Sequence, residues 1–589
     1  MDCDHFLTPQ KVFLGSNSSS SASSPSSIAH LGSKLQSSTS QFFYSTHSTD
    51  TTTLASADYD VDVQSGFLSP SPPINRITDP AYQPWEDALD TITKLISSFH
   101  QEVVDQDSQL IQVKNWKKFI SSDLPVLSID PLRNEIVEMR RAHLVLAFLT
   151  HAFVHSTSFN QQNSIQHSRI AIPLSLAVPL TGISLALDVP PVLTYADTVL
   201  YNWSFKDPAL GFTVANIEIP TTFTRSDSER HFYKTSVLVE SLGPGCLKLM
   251  RSSLDEAFME DETSVKRIGN NLGRLAKHID RLSKVLRDVK EGCDPRTFYW
   301  EIRPWFIGGR WIWEGVIGEE FTKLKPQEET EQPSKVEEES EQWKVTEFGG
   351  PSAGQSTLIH AIDVFLGVNH EPNQQEISSG IQDEETFMNR MSNYMPHHHR
   401  LFLKQLARSC STKQGVHPNL IRSIVINHQD HKFKSGPNIL KENYNLCIQA
   451  LENLRKTHTQ IVSLFIICQK NSAPPPHHLF SSALTSTTDS SIKSSTTSYH
   501  DGKSYQVKSL IRTIKEPEDQ AATKQEEEKD STDSNEGSDT NNCHEIKSQA
   551  EPLETVTAIQ REILKGTGGT DLSKFLKRCK LRTTQAFLD

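Results

Sequence analysis

The 589-residue chain has little paired cysteine, no surplus of positive charge and no clean long apolar run, and each shortage removes a class of function. Its eight cysteines form no CxxC pair and no CxxCH haem-attachment motif. They read as reduced, scattered thiols of a cytoplasmic protein, not as a disulfide framework or a zinc site. The formal charge of −13 is concentrated in two places. Residues 326–342 hold seven Glu against one Lys, and 516–545 hold eleven acids against two Lys. What remains is close to neutral, without the basic field that nucleic-acid binding requires. Met1-Asp2-Cys3-Asp4-His5 opens with neither a basic nor an apolar stretch, which argues against a secretory signal. The most apolar segment, 170–193, is broken by Pro173, Pro179, Asp188, Pro190 and Pro191. A buried irregular segment with short helices is expected there in place of a membrane span. No GxSxG, HExxH, Walker or kinase signature is present.

What is present has helical period. Leu89, Ile92, Ile96, Phe99 and Val103 form one apolar stripe, and residues 133–155 form a thicker one. Leu272, Leu275, Ile279, Leu282, Leu286 and Val289 form a third, and Leu358, Ile362 and Phe365 mark a shorter helix. No sustained alternation of period two accompanies them, so the expected fold class is all-α. Residues 1–75 are Ser/Thr-rich, and 474–555 run from Pro474-Pro475-Pro476 through Ser/Thr clusters into acids. Both are expected to be disordered, being too poor in apolar positions to offset ordering entropy. The expected division is a small helical domain over 76–220 and a large one over 221–473 with an acidic insert at 326–342. A Gly-rich loop and C-terminal helix over 556–589 complete the large domain.

The most telling stripe contains a histidine. Leu440, Tyr444, Cys447, Leu451, Leu454, His458, Ile461 and Phe465 recur at alternating steps of four and three. That spacing places all eight on one face of a single helix. An imidazole among Leu, Ile and Phe needs a partner for its nitrogens, at a cost of about 1–3 kcal/mol if it finds none. A haem iron would be such a partner, and a backbone carbonyl would be another. Three further segments carry chemistry. Gly349-Gly350-Pro351-Ser352-Ala353-Gly354 leads into a helix that Ser356 could cap, its small residues allowing close approach to a flat ligand. Arg303 lies among Phe298, Tyr299, Trp300 and Trp305, suited to grip a carboxylate or to stack in a contact. Gly566-Thr567-Gly568-Gly569 lacks the Lys of a phosphate loop and reads better as a mobile lid. The histidines at 397–399, and His428 with His431, have no acidic or Cys partner at ligand spacing in the sequence.

Taken together, GPSAGQST at 350–357, Ile362-Asp363-Val364-Phe365-Leu366-Gly367, Arg455-Lys456-Thr457-His458 and GTGGTDL at 566–572 resemble indoleamine 2,3-dioxygenases. Leu193-Thr194-Tyr195-Ala196-Asp197, Asn202-Trp203 and Ser236-Val237-Leu238-Val239-Glu240 extend the resemblance over about residues 80–589. It marks a fungal-like member with an extended N-terminus and inserts. The resemblance implies a small N-terminal helical domain and a large one binding haem b without covalent attachment.

It further implies that His458 is the proximal iron ligand, with Arg455 and Asp363 at the haem edge and Ser352 beside the haem on the substrate side. Phe232 and Ser236 would stand over the iron, Tyr195, Thr198 and Val199 would line an indole pocket, and Phe298 and Ala353 would pack on substrate. Arg303 would hold the substrate carboxylate, and Thr567 would order over it. The implied reaction cleaves the indole C2–C3 bond of L-tryptophan with O2 to N-formylkynurenine, at the head of the kynurenine route towards NAD. It would be carried out by a cytoplasmic monomer with no nucleic-acid or membrane partner. Pro351, Thr198 and Tyr233 depart from the residues of many relatives. A haem-binding sensor or scaffold with a degenerate site is the alternative, as is activity on other indoleamines.

Overall fold

The computed structural model describes residues 56–99, 106–156, 170–259, 261–316, 345–370, 387–412, 418–430, 439–470, 472 and 572–588. Helices dominate them, as the sequence period requires. Gln83–Ser98 carries the first stripe, Ile136–His155 the thick apolar one, Glu262–Arg287 the third and Thr357–Leu366 the short one. Val103, both acidic runs, the 566–569 glycines and His431 lie outside the described residues.

Glu262–Arg287 shows why these helices form where they do. Asp261 accepts from the Ser264 amide at its start while the Ser264 hydroxyl caps the Asp261 amide, a reciprocal capping box. Ile268, Leu272, Leu275, Ile279 and Leu282 then fall on one buried face, each contributing about 1.5–3 kcal/mol by leaving water. That face packs against Ile439–Val462. Gly269 brings the Leu440 backbone within 3.5 Å of where a Cβ would stand, and Cys447 Sγ donates to Leu272 O at 3.0 Å.

The buried residues fall into two apolar cores. One gathers Trp85, Phe148, Trp203, Phe223, Trp305 and Trp313 with Ile461 and Phe465. The other gathers Leu272, Ile279, Leu358, Phe365, Tyr444, Leu451 and Leu454. The helix Ile439–Val462 and its π-helical continuation Ser463–Ile467 therefore begin in one core and end in the other.

Three differences from the sequence reading stand out. Residues 170–193 are not a string of short helices. Ile170–Ile172 is a strand and Leu174–Leu187 one continuous helix that includes Pro179 and stops at Asp188, whose φ is 51°. Short strands exist as well. Gly309–Trp313 pairs in parallel with Ile170–Ile172 and antiparallel with Val345–Phe348. Its Trp311 and Trp313 are buried, an alternation too brief to register as a period. Residues 56–75, grouped with the Ser-rich stretch from sequence, include Phe67 and Leu68, which are buried in the cores. Among the described residues, no helix is long and apolar enough to cross a membrane.

Candidate functional site

Of the eight residues in the histidine stripe, seven are buried and His458 alone is half-buried. It stands where the helix passes from one core to the other, between Leu454 on one side and Ile461 on the other. No hydrogen bond reaches either of its ring nitrogens among the described residues, so neither a backbone carbonyl nor a side chain serves as its partner. Burial, reinforced by the nearby Arg455 charge, holds the imidazole down at about 4. At neutral pH it is therefore uncharged, with one nitrogen lone pair available to a metal ion.

One turn before it, Arg455 turns to a different partner. Its guanidinium contacts both oxygens of Asp363 at 2.7 and 2.6 Å and also bonds Thr583 Oγ1, from the helix Leu572–Thr584. His370 adds a contact to Asp363 at 2.8 Å. Burial alone would raise the Asp363 carboxyl, but Arg455 and His370 outweigh it and hold the group at about 2. Neither His370 nor Thr583 was readable beforehand, since neither repeats with the stripe.

On the other side, the helix Asp227–Ser241 presents Phe232 and Ser236 one turn apart, both half-buried. Phe232 packs on Phe298 at 4.7 Å between ring centroids, and Phe298 packs on Phe465 at 5.5 Å. This aromatic wall joins the Ser236 helix to the His458 helix. Ser236 Oγ makes a long 3.5 Å contact to Phe232 O.

The π-helical turn Ala196–Leu200 packs beside that helix, with Tyr195 at its head. Gln355 Oε1 accepts from the Tyr195 amide at 2.8 Å, and the Tyr195 hydroxyl donates to Glu240 Oε1 at 3.0 Å. Thr198 and Val199 are buried, and Thr198 Oγ1 donates back to Thr194 O at 3.2 Å. Arg303 follows the turn Phe298–Ile302 and is 3% exposed, its guanidinium 5.7 Å from the Tyr299 ring. Burial lowers its pKa.

The Gly349–Gly354 loop differs from expectation in two ways. Ser356 occupies the cap position of Thr357–Leu366, yet its hydroxyl bonds Glu240 Oε1 at 2.6 Å and caps nothing. The smallness of Gly350 serves the protein's own backbone, because a Cβ there would stand 1.7 Å from Phe306 O. Ser352 accepts from the Gly354 amide at 3.2 Å, and Ala353 is exposed.

His458, Arg455 and Asp363 thus meet on one wall, and Phe232, Ser236, Tyr195 and Phe298 on another, while Thr567 falls outside the described residues. Glu240 went unassigned in the sequence, although it lies four residues after Ser236 on the same face. Elsewhere, His397 pairs with Asp188 and Arg400, and no group of three or more His, Cys, Asp or Glu able to hold a metal occurs among the described residues.

The family model described as indoleamine 2,3-dioxygenase matches residues 55–586. An indoleamine 2,3-dioxygenase of Saccharomyces cerevisiae is 29% identical over 421 residues, spanning 70% of this chain and 80% of its own. Indoleamine 2,3-dioxygenase 1 of Rattus norvegicus is 27% identical over 71% of this chain and 86% of its own. A 6-hydroxytryptophan 2,3-dioxygenase of Fusarium equiseti is 26% identical over 70% of this chain and 85% of its own. With a match running through nearly every described element, the chain belongs to the indoleamine 2,3-dioxygenase family of oxidoreductases.

Proposed function

We propose that the protein is a haem-dependent dioxygenase that cleaves the indole C2–C3 bond of L-tryptophan with O2 to give N-formylkynurenine. The observation that carries this reading is His458: neutral, half-buried and, among the described residues, unbonded at the seam of two apolar cores, in an otherwise buried stripe. The residues fit the group. A haem needs a neutral nitrogen donor for its iron and apolar surroundings, and His458 at the seam would meet both needs. His458 would hold the iron, with Arg455 and Asp363 at the macrocycle's edge and Ser352 and Ala353 beside its substrate side. When bound, the haem supplies the redox-active iron that brings dioxygen into reaction.

The chain's own residues then bind and orient. Phe232 and Phe298 form an aromatic wall that excludes water and packs on the indole, while Tyr195, Thr198 and Val199 close the pocket. Arg303 is already desolvated, which strengthens its attraction for a substrate carboxylate. Ser236 orients oxygen or indole, and a neutral hydroxyl of ordinary basicity is too weak to serve as a general base. Proximity of bound substrate and oxidant therefore supplies most of the rate.

Purified haem-loaded protein tests this directly. Wild type forms N-formylkynurenine from L-tryptophan and turns over tryptamine, which lacks the carboxylate, at least about tenfold less efficiently. His458→Ala loses both the haem absorption band and the product. An unchanged haem spectrum in that variant, or equal turnover of tryptamine, refutes the corresponding assignment. Including 6-hydroxytryptophan as a competitor decides which indole the pocket prefers.

A further inference from the structure

We propose that Glu240 is a positioning residue for the indole pocket, pinning the Tyr195 phenol and the Ser356 hydroxyl on a single carboxylate oxygen, so that its protonation state sets how firmly the pocket wall is held. The proposal rests on the dioxygenase reading for its substrate but not for its geometry. Glu240 is 1% exposed. Its Oε1 accepts from Tyr195 Oη at 3.0 Å and from Ser356 Oγ at 2.6 Å, while its Oε2 is buried without a hydrogen-bond partner among the described residues. Three segments distant in sequence are tied at this one atom: the turn headed by Tyr195, the Phe232–Ser236 helix and the loop entering Thr357–Leu366.

The unpartnered oxygen makes the two protonation states close in free energy. Ionised, Glu240 leaves a charged oxygen without a donor in an apolar surrounding. Protonated, it carries the proton on Oε2, because both lone pairs of Oε1 are in use, and that hydroxyl lacks an acceptor. Burial without a neighbouring cation lifts the carboxyl to about 7, the Ser356 and Tyr195 bonds offsetting only part of it. The groups facing it are those two hydroxyls, and no Lys, Arg or His among the described residues forms an ion pair with it. Tyr195 is itself pushed well above the usual phenol range, by burial first and then by Glu240, so it does not compete for this ionisation.

The consequence runs through Tyr195. Its amide is fixed by Gln355, whereas its hydroxyl is held by Glu240 Oε1. An ionised Glu240 draws the phenol by a charge-assisted bond about twice as strong as a neutral one. A protonated Glu240 holds it only by the weaker neutral bond and so loosens the pocket wall.

The test is the pH dependence of KM and kcat for L-tryptophan in the haem-loaded enzyme, for wild type, Glu240→Gln and Tyr195→Phe. In wild type, KM is expected to rise about fivefold as pH falls through neutrality, a single weakened hydrogen bond, while kcat moves less. In Glu240→Gln the same two bonds remain without an ionisable group, so KM stays near its high value at every pH. Tyr195→Phe severs the link and flattens the profile in the same way. A wild-type pH course retained in Glu240→Gln assigns the ionisation to another group and overturns the proposal. If Glu240→Gln fails to fold, Tyr195→Phe decides alone: a retained pH course overturns the proposal, and a flat one supports it. Should wild type form no product, the dioxygenase reading fails separately. The pH dependence of tryptophan binding, read from the shift of the haem absorption band, then still decides the role of Glu240.

Discussion

Two buried carboxylates flank the site, and they titrate in opposite directions. Asp363 and Glu240 are both nearly inaccessible, so burial pushes each upward. Asp363 nevertheless ends at about 2, because Arg455 lies against both its oxygens. Glu240, facing only hydroxyls, ends at about 7. The difference is the Arg455 cation with His370 beside it, and it separates a structural anchor from a group able to change state under ordinary conditions. The anchor ties the His458 helix to Thr357–Leu366 and to the C-terminal helix through Thr583. The titratable group ties together the segments expected to line the substrate pocket.

Removing the anchor should have the largest effect. Asp363→Asn leaves a half-buried Arg455 with its charge uncompensated, a loss of about 3 kcal/mol. Urea unfolding at pH 7 measures it, and a loss below about 1 kcal/mol would show the pair to be solvent-screened. The sign with pH follows from the depressed value. Asp363 stabilises the fold fully above its ordinary 3.8, and that contribution, about 2 kcal/mol, is lost as pH falls through about 2.

Glu240 should show the reverse. Its value is raised from 4.5 to about 7, so the fold is favoured below 4.5 and loses stability as pH climbs through 7. The full penalty above pH 7 is about 3 kcal/mol. Glu240→Gln should therefore be nearly neutral at pH 5 and more stable than wild type at pH 8. Urea midpoints of the two proteins at both pH values check this. Equal differences at the two pH values would remove the contrast between the carboxylates.

Much of this arrangement was legible before any coordinates, and what was missed has a common physical cause. The stripe from Leu440 to Phe465 was readable because burial on a helix imposes a period. His458 was readable as its one polar member, and Arg455 as its neighbour one turn away. A period says which face is buried but not against what, so the crossing of His458 between two cores was invisible. Ser356 shows the same limit, since its position at a helix start was readable while the Glu240 partner of its hydroxyl, 116 residues away, was not. Gly350 was readable as a place of close approach, though the approaching group is the backbone at Phe306. Pairings between distant segments leave no local pattern, and the contacts of Asp363 with Arg455 and of Glu240 with Tyr195 and Ser356 are of that kind.

The smallest effect sharpens the comparison by isolating one hydroxyl. Thr198 stands three residues from Tyr195 and was expected to line the indole pocket, but its Oγ1 donates to Thr194 O at 3.2 Å and approaches Tyr195 O at 3.4 Å. The hydroxyl is spent within its own turn and is not offered to a ligand. Thr194 O also accepts the Thr198 amide at 3.2 Å, so removing the hydroxyl leaves no buried carbonyl bare. Thr198→Val should cost less than about 1 kcal/mol, and KM for L-tryptophan should stay within about twofold of wild type. Its KM should also keep the pH course of wild type, since the Tyr195–Glu240 bond is untouched. A tenfold rise in KM would mean that Thr198 Oγ1 turns to the substrate, and the polar wall of the pocket would then extend beyond what Glu240 controls.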